Sequence, residues 1–208
     1  MARDQERLSR AAQGPIVGGL PEVPGIGVAM RLKPALGVHL RGLADELLVN
    51  DFPGATISRA ERETIATAVS AANDCFFCMD SHAEHAAAVI ARSGEVELLP
   101  LLDVVKTGSS EGLSPKMQGL LQIARVVGRA PLTLTAADVV AARAAGATDA
   151  DVQLAVLIAA GFSMYNRLVD GFRARTPATL EPYRSRATEI AERGYSAPPA
   201  AGAEPTRS

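Results

Sequence analysis

Ser58-Arg59-Ala60-Glu61-Arg62-Glu63, followed nine residues later by Asn73-Asp74-Cys75-Phe76-Phe77-Cys78-Met79-Asp80-Ser81-His82, decides the reading of this chain. Ser58 and Glu61 have capping-box spacing, so a helix should start there and carry Ile65, Ala66, Ala68, Val69 and Ala72 inward. It should stop near Asn73 and Asp74, either of which can cap the next helix. That helix holds both cysteines of the chain and one of its three histidines, and Ser93-Gly94 should end it, with glycine in the left-handed position.

At about 100° per residue, Cys78 lies roughly 60° and His82 roughly 20° from Cys75, so the three share one face with Met79, Ala86 and Val89. Asp80, Glu84 and Arg92 fall on the opposite, solvent side of that wheel. Cysteines at i and i+3 in a first helical turn can close a disulfide without unwinding the helix. A thiolate is the reactive species; the helix amino terminus favours it, and His82, one turn beyond Cys78, can take the proton. Glu63 can hold the other imidazole nitrogen, which makes a relay of Glu63, His82 and Cys78. A zinc site on the cysteines lacks two ligands, and His85 and Glu63 complete it only under strain, so no metal is expected. His85 is read as structural.

Working outward, residues 14–27 are rich in Gly and Pro and read as an irregular arm. Further helices are expected around Val38–Val49, from Ser114-Pro115 to Gly128, from Thr135 (with Asp138) to Gly146, from Thr148 (with Asp151) to about Phe172, and over Leu180–Arg193. No stretch alternates in strand fashion, so the fold class is all-α. The domains are expected as an arm at 1–29, a helical body at 30–195 and a disordered tail at 196–208. Sliding the chain by 88 residues lays Glu63 on Asp151 and Cys75 on Ser163, an echo that suggests a degenerate helical-hairpin repeat.

With 48% hydrophobic residues but 4% aromatics and no Trp in 208 residues, the core must be built from Ala, Val, Leu and Ile. A net charge of −2 makes no electrostatic case for nucleic acid or an anionic membrane. The apolar stretch Leu154–Tyr165 is shorter than the roughly 20 residues of a membrane span. Without an apolar run after Arg3, Arg7 and Arg10 a secretory signal is not expected, and a cytoplasmic location is. The late arginines Arg167, Arg173, Arg175, Arg184 and Arg186 read as a solvated surface.

Ser58 to Glu63, Val69-Ser70-Ala71-Ala72-Asn73-Asp74-Cys75-Phe76-Phe77-Cys78 and His82 resemble the core of AhpD-like alkylhydroperoxidases of the carboxymuconolactone decarboxylase superfamily. Leu113-Ser114-Pro115-Lys116, the Thr135 to Asp138 turn, Gly146-Ala147-Thr148-Asp149 and Met164 to Asp170 resemble its peroxidase-related branch. The resemblance spans about residues 30–175. It implies an AhpD-like helical bundle assembled as a trimer or hexamer, in which Cys78 is the peroxidatic cysteine and Cys75 resolves it. Glu63 and His82 would form the proton relay, with no bound cofactor and an external dithiol, such as a lipoyl carrier, as reductant. Relatives carry a histidine immediately before the second cysteine, where this chain has Phe77; at roughly 200° from Cys75, that residue is expected to face away from the thiols. Its presence there implies a slow peroxidase and a competent dithiol oxidoreductase. The expected function is reduction of hydrogen peroxide or organic hydroperoxides; the alternatives are a dithiol-disulfide oxidoreductase serving another peroxidase and a non-enzymatic redox-responsive scaffold.

Overall fold

Ser58 caps its helix as expected: its side chain accepts from the Glu61 N–H at 3.2 Å, and the Glu61 carboxylate accepts from the Ser58 N–H at 2.8 Å. In the computed structural model, which describes residues 2–197, that helix is α4 (Arg59–Ala72), the fourth of ten. The others are α1 (Ala2–Ala11), α2 (Gly27–Leu32), α3 (Pro34–Leu48), α5 (Phe76–Ser93), α6 (Leu101–Lys106), α7 (Pro115–Arg129), α8 (Ala136–Ala144), α9 (Asp149–Gly171) and α10 (Glu181–Arg193). The described residues contain no strand, so the chain is all-α.

The centre is α4, which packs against α5, α6, α7 and α9 and is buried almost all round. Its small Ala and Ser residues let neighbours approach from every side. The polar groups this buries satisfy themselves: the hydroxyls of Thr64 and Thr67 donate to the carbonyls of Ala60 and Glu63 one turn back. Around α4, Leu48, Ile65, Val69, Leu120, Leu121, Ile123, Leu154, Ile158 and Phe162 form one core from α3, α4, α7 and α9. Helix α9 is long and apolar enough to cross a membrane, yet more than half of its apolar window is buried here, as befits a core helix.

Asp151 explains the join between the two halves of the chain. Its carboxylate accepts from Thr148 in its own capping box and from Thr56 and Ile57 in the loop before α4. Burial works against its charge, but these four donors outweigh it and hold its pKa below the usual carboxylate range.

Four expectations need correction. Neither Asn73 nor Asp74 caps α5; the N-cap is Cys75, without a side-chain cap, because Asn73 turns to Ser163 and Asn166 of α9 while Asp74 adopts φ 55° and pairs with Arg129. Asp80 is not on a solvent face. It is fully buried and pairs with Lys106 at 3.0 Å and Arg7 at 2.8 Å, because α6 and α10 pack on α5 as well as α4. The helices α1, α2 and α6 were not expected: α1 lies in the stretch read as an arm, and α2 and α6, of six residues each, are too short to show a helical period. The 88-residue echo marks no second hairpin: α4 and α5 are parted by the turn at 73–75, whereas residues 161–163 lie inside unbroken α9.

The stretch at 14–27 is irregular up to α2 and returns to its own chain. Gly25 donates its N–H to the Arg175 carbonyl, and Leu20, Val23 and Ile26 pack beside the cysteines. Of the stretch expected as a tail, Ser196 donates its N–H to Asp45, and residues 198–208 lie outside the described ones.

Candidate functional site

Both cysteines are free thiols and both are buried, in an apolar cluster with Val28, Val169 and Ala174. Cys75 sits at the N-cap of α5, and its thiol donates to the Asn166 carbonyl at 4.0 Å. Asn166, in turn, is locked by hydrogen bonds to Ser70 and Asn73, which tie α9 to the α4–α5 turn. The hydrogen bond with Cys78, together with burial, pushes the Cys75 pKa well above the ordinary thiol value. Burial and this contact thus both disfavour a Cys75 thiolate.

Glu63, near the middle of α4, is fully buried, and its carboxylate is served by two donors. His82 Nδ1 lies 2.8 Å from Glu63 Oε2, and the Tyr195 hydroxyl donates to Glu63 Oε1 at 2.8 Å. The first contact orders the imidazole: with Nδ1–H held by the carboxylate, Nε2 is the basic nitrogen. The Tyr195 proton being spent on Glu63, His85 Nδ1, 3.0 Å from the same phenol oxygen, must be the donor in that contact. Burial first, and His82 second, pull the His85 pKa well below normal, so that ring is neutral. Burial and the adjacent Glu63 push Tyr195 well above the usual phenol value.

Tyr195 was missed in the sequence because three distant features deliver it. Arg59 donates to the carbonyls of Ile190 and Ala191 and so ends α10. Gly194, at φ 79°, turns the chain where a Cβ would come within 2.8 Å of Asp45 Oδ1. The Asp45 carboxylate then accepts the N–H groups of Tyr195 and Ser196 at 2.6 and 2.9 Å. The scarcity of aromatics, with three Tyr in the chain, was the one available hint.

A cavity of about 800 Å³ opens onto this cluster, lined by His82, His85, Tyr195 and Phe162 and walled by Phe77 and Tyr183. Neither cysteine lines it. Phe77 stands between the cavity and the sulfurs: its ring packs on the cysteine cluster, meets Tyr183 in a tilted contact with centroids 5.4 Å apart, and fills the space that a side chain at Gly25 would need. The expectation that Phe77 faces away from the thiols is thus corrected, because a residue two positions from Cys75 at the very start of a helix is placed by the incoming chain as much as by the wheel.

The structure brings Glu63 and His82 into contact and places Cys75 beside Cys78. Cys78 and His82, at i and i+4 on α5, share a face at roughly 5–6 Å between Cβ atoms. Of the late arginines, Arg184 pairs with Glu84, Arg186 with Glu189, and Arg167 bonds the Ser163 carbonyl.

Residues 34–110 match the carboxymuconolactone decarboxylase family. That span covers Glu63, both cysteines, His82 and His85, and leaves out Asn166 and Tyr195. No curated protein matches the chain significantly. Among solved structures, an uncharacterized peroxidase-related protein from Ralstonia eutropha JMP134, described as an alkylhydroperoxidase AhpD core, is similar with a TM-score of 0.64 and 23% identity, over 90% of this chain and 88% of its own. An uncharacterized peroxidase-related protein from Silicibacter sp. TM1040 is similar with a TM-score of 0.60 and 23% identity, over 84% and 93%. The likeness extends over nearly the whole fold.

Proposed function

We propose that this AhpD-like member of the carboxymuconolactone decarboxylase superfamily reduces hydroperoxides with Cys78 and Cys75. The observation that carries the reading is the pairing of two free thiols in the first turn of α5 with a 2.8 Å Glu63 to His82 hydrogen bond on the same helix and its neighbour.

The steps balance as follows. The Cys78 thiol gives its proton to His82 Nε2, directly or through one water, and Glu63 stabilises the imidazolium. The thiolate attacks the outer peroxide oxygen, the O–O bond breaks, and the alcohol or water leaves with the proton from His82. Cys78 is now a sulfenic acid. Cys75 then loses its proton and attacks the Cys78 sulfur, releasing water and forming the Cys75–Cys78 disulfide. An external dithiol, such as a lipoyl carrier, restores both thiols by exchange. A reducing compartment such as the cytoplasm would keep the resting pair free.

Stopped-flow oxidation of the reduced protein by hydrogen peroxide and by an organic hydroperoxide, with mass spectrometry of the product, tests the reading. A loss of two hydrogens mapping to the peptide with Cys75 and Cys78 supports it; thiols that stay alkylatable after prolonged exposure refute it. Disulfide exchange without peroxide turnover would instead favour the dithiol oxidoreductase.

Phe77→Ala should open the cavity to the sulfurs. Oxidation by a bulky organic hydroperoxide is expected to speed up about tenfold, roughly 1.4 kcal/mol off the barrier, with a smaller gain for hydrogen peroxide. Equal gains for both, or none, would mean that peroxide reaches Cys78 by another path.

A homo-oligomer, a trimer or hexamer by the resemblance, is part of the proposal. Val38 on α3, Val140 on α8 and Leu132, which is 99% exposed, are apolar side chains that a further copy of the chain would cover. Light scattering is expected to give a multiple of 21.6 kDa; a monodisperse monomer at micromolar concentration would refute it.

A further inference from the structure

We infer that Glu63, His82, His85 and Tyr195 form a binding site for a divalent transition-metal ion, of the zinc class, at the floor of the cavity. The ligand atoms of Glu63, His82 and His85 all lie within 4.8 Å of one another. The Tyr195 oxygen sits among them, 2.8 Å from Glu63 Oε1, 3.0 Å from His85 Nδ1 and 3.3 Å from His82 Nδ1. A tetrahedral ion with bonds of about 2.0–2.1 Å has ligand atoms roughly 3.3 Å apart. The Tyr195 contacts already lie within about half an ångström of that spacing, while the other separations, none above 4.8 Å, would close by at most about 1.5 Å to admit one.

The donors are also held in advance. Glu63 comes from α4, both imidazoles from one face of α5, and Tyr195 from a segment tied down by Asp45 and Arg59, and all four are buried. Two imidazoles with carboxylate and phenol oxygen suit zinc or iron rather than magnesium or calcium, which take all-oxygen shells. To bind through Nδ1, each ring must carry its proton on Nε2, so a bound ion would take His82 out of the thiol relay; for His85 that nitrogen already faces the Ser81 hydroxyl at 3.5 Å, a partner outside the ligand set that can accept it. The cavity meets His82, His85 and Tyr195 directly, so a small molecule entering it can reach the ion as a fifth ligand. The cysteines take no part, which separates this site from the strained cysteine site considered on sequence grounds.

The test uses the full chain with Cys75→Ser and Cys78→Ser together, so that no thiol can bind metal and the peroxidase reading is not involved. After chelator treatment and dialysis, cobalt(II) titration followed in the visible region and zinc(II) titration calorimetry are expected to show one ion per chain. The cobalt spectrum should have the strong d–d bands of four or five coordination. In that background, Glu63→Gln and His85→Gln should each lower affinity by at least about a hundredfold, beyond the usual 10–100-fold effect of residues outside the ligand set. Zinc should raise the melting temperature of the parent but not of these variants. Circular dichroism checks that each variant is folded, with His85→Asn as a second substitution at that position. No cobalt spectrum, or a spectrum and affinity that survive both substitutions, would overturn the site while leaving the thiol chemistry, measured on metal-free protein, standing or falling on its own.

Discussion

Cys78→Ser is expected to abolish peroxide consumption, and Cys75→Ser to allow one turnover that ends in a sulfenic acid trappable by dimedone. The asymmetry follows from position. Cys75, at the N-cap, donates its thiol to the Asn166 carbonyl and is pushed towards the protonated form by its hydrogen bond with Cys78 and by burial. Cys78 lies one turn from His82 on the same helix. With its thiolate disfavoured, Cys75 is the poorer first nucleophile, yet it is already beside the sulfur it must later attack. Rapid-quench measurements on both variants decide the matter; equal first-turnover rates would overturn the assignment of Cys78 as the attacking sulfur.

The second large effect is expected at the relay. Glu63→Gln and His82→Ala should each slow oxidation of Cys78 by about 10² to 10⁴, the usual worth of general-base assistance. Without the base, the thiolate must form by its own ionisation, so the rate of each variant should keep rising at higher pH, where the parent has levelled off. The sign is fixed by the proton's origin: the variants need hydroxide-driven loss of a thiol proton that His82 otherwise removes. The double variant should be far less than additive, since Glu63 acts by orienting His82 through the 2.8 Å contact. Glutamine at position 63 can keep a hydrogen bond but not the charge that stabilises the imidazolium. Additive losses that track a lower melting temperature would mean that the pair is only a structural contact.

The site is distributed unevenly between what local chemistry announces and what packing assembles. Helix starts at Ser58, Thr135 and Thr148 were legible because a capping box is closed between residues three apart, and the structure shows all three boxes formed. The α5 stop at Gly94 was legible for the same reason, a left-handed φ of 83° that glycine adopts without strain. Glu63 and His82 were found by their spacing from the cysteines. Their contact across two helices needed α4 and α5 to fold back on one another, which the Asn73 to Cys75 turn arranges.

Asp80 shows where the helical wheel fails. A wheel assigns one face to solvent, but α5 is packed by α4, α6 and α10, so a carboxylate that looked solvated is buried between Lys106 and Arg7. Phe77 fails for a related reason: Gly25, from the segment before α2, leaves the room its ring occupies, and the ring becomes the wall between cavity and thiols. By itself, then, the sequence determined the helical class, the three capped starts and the thiol pair, because each rests on residues within a turn or two of one another. Only the tertiary structure decided that Tyr195, 132 positions from Glu63, closes the cluster of Glu63, His82 and His85, because its place depends on Arg59 ending α10 and Asp45 gripping the backbone beyond it.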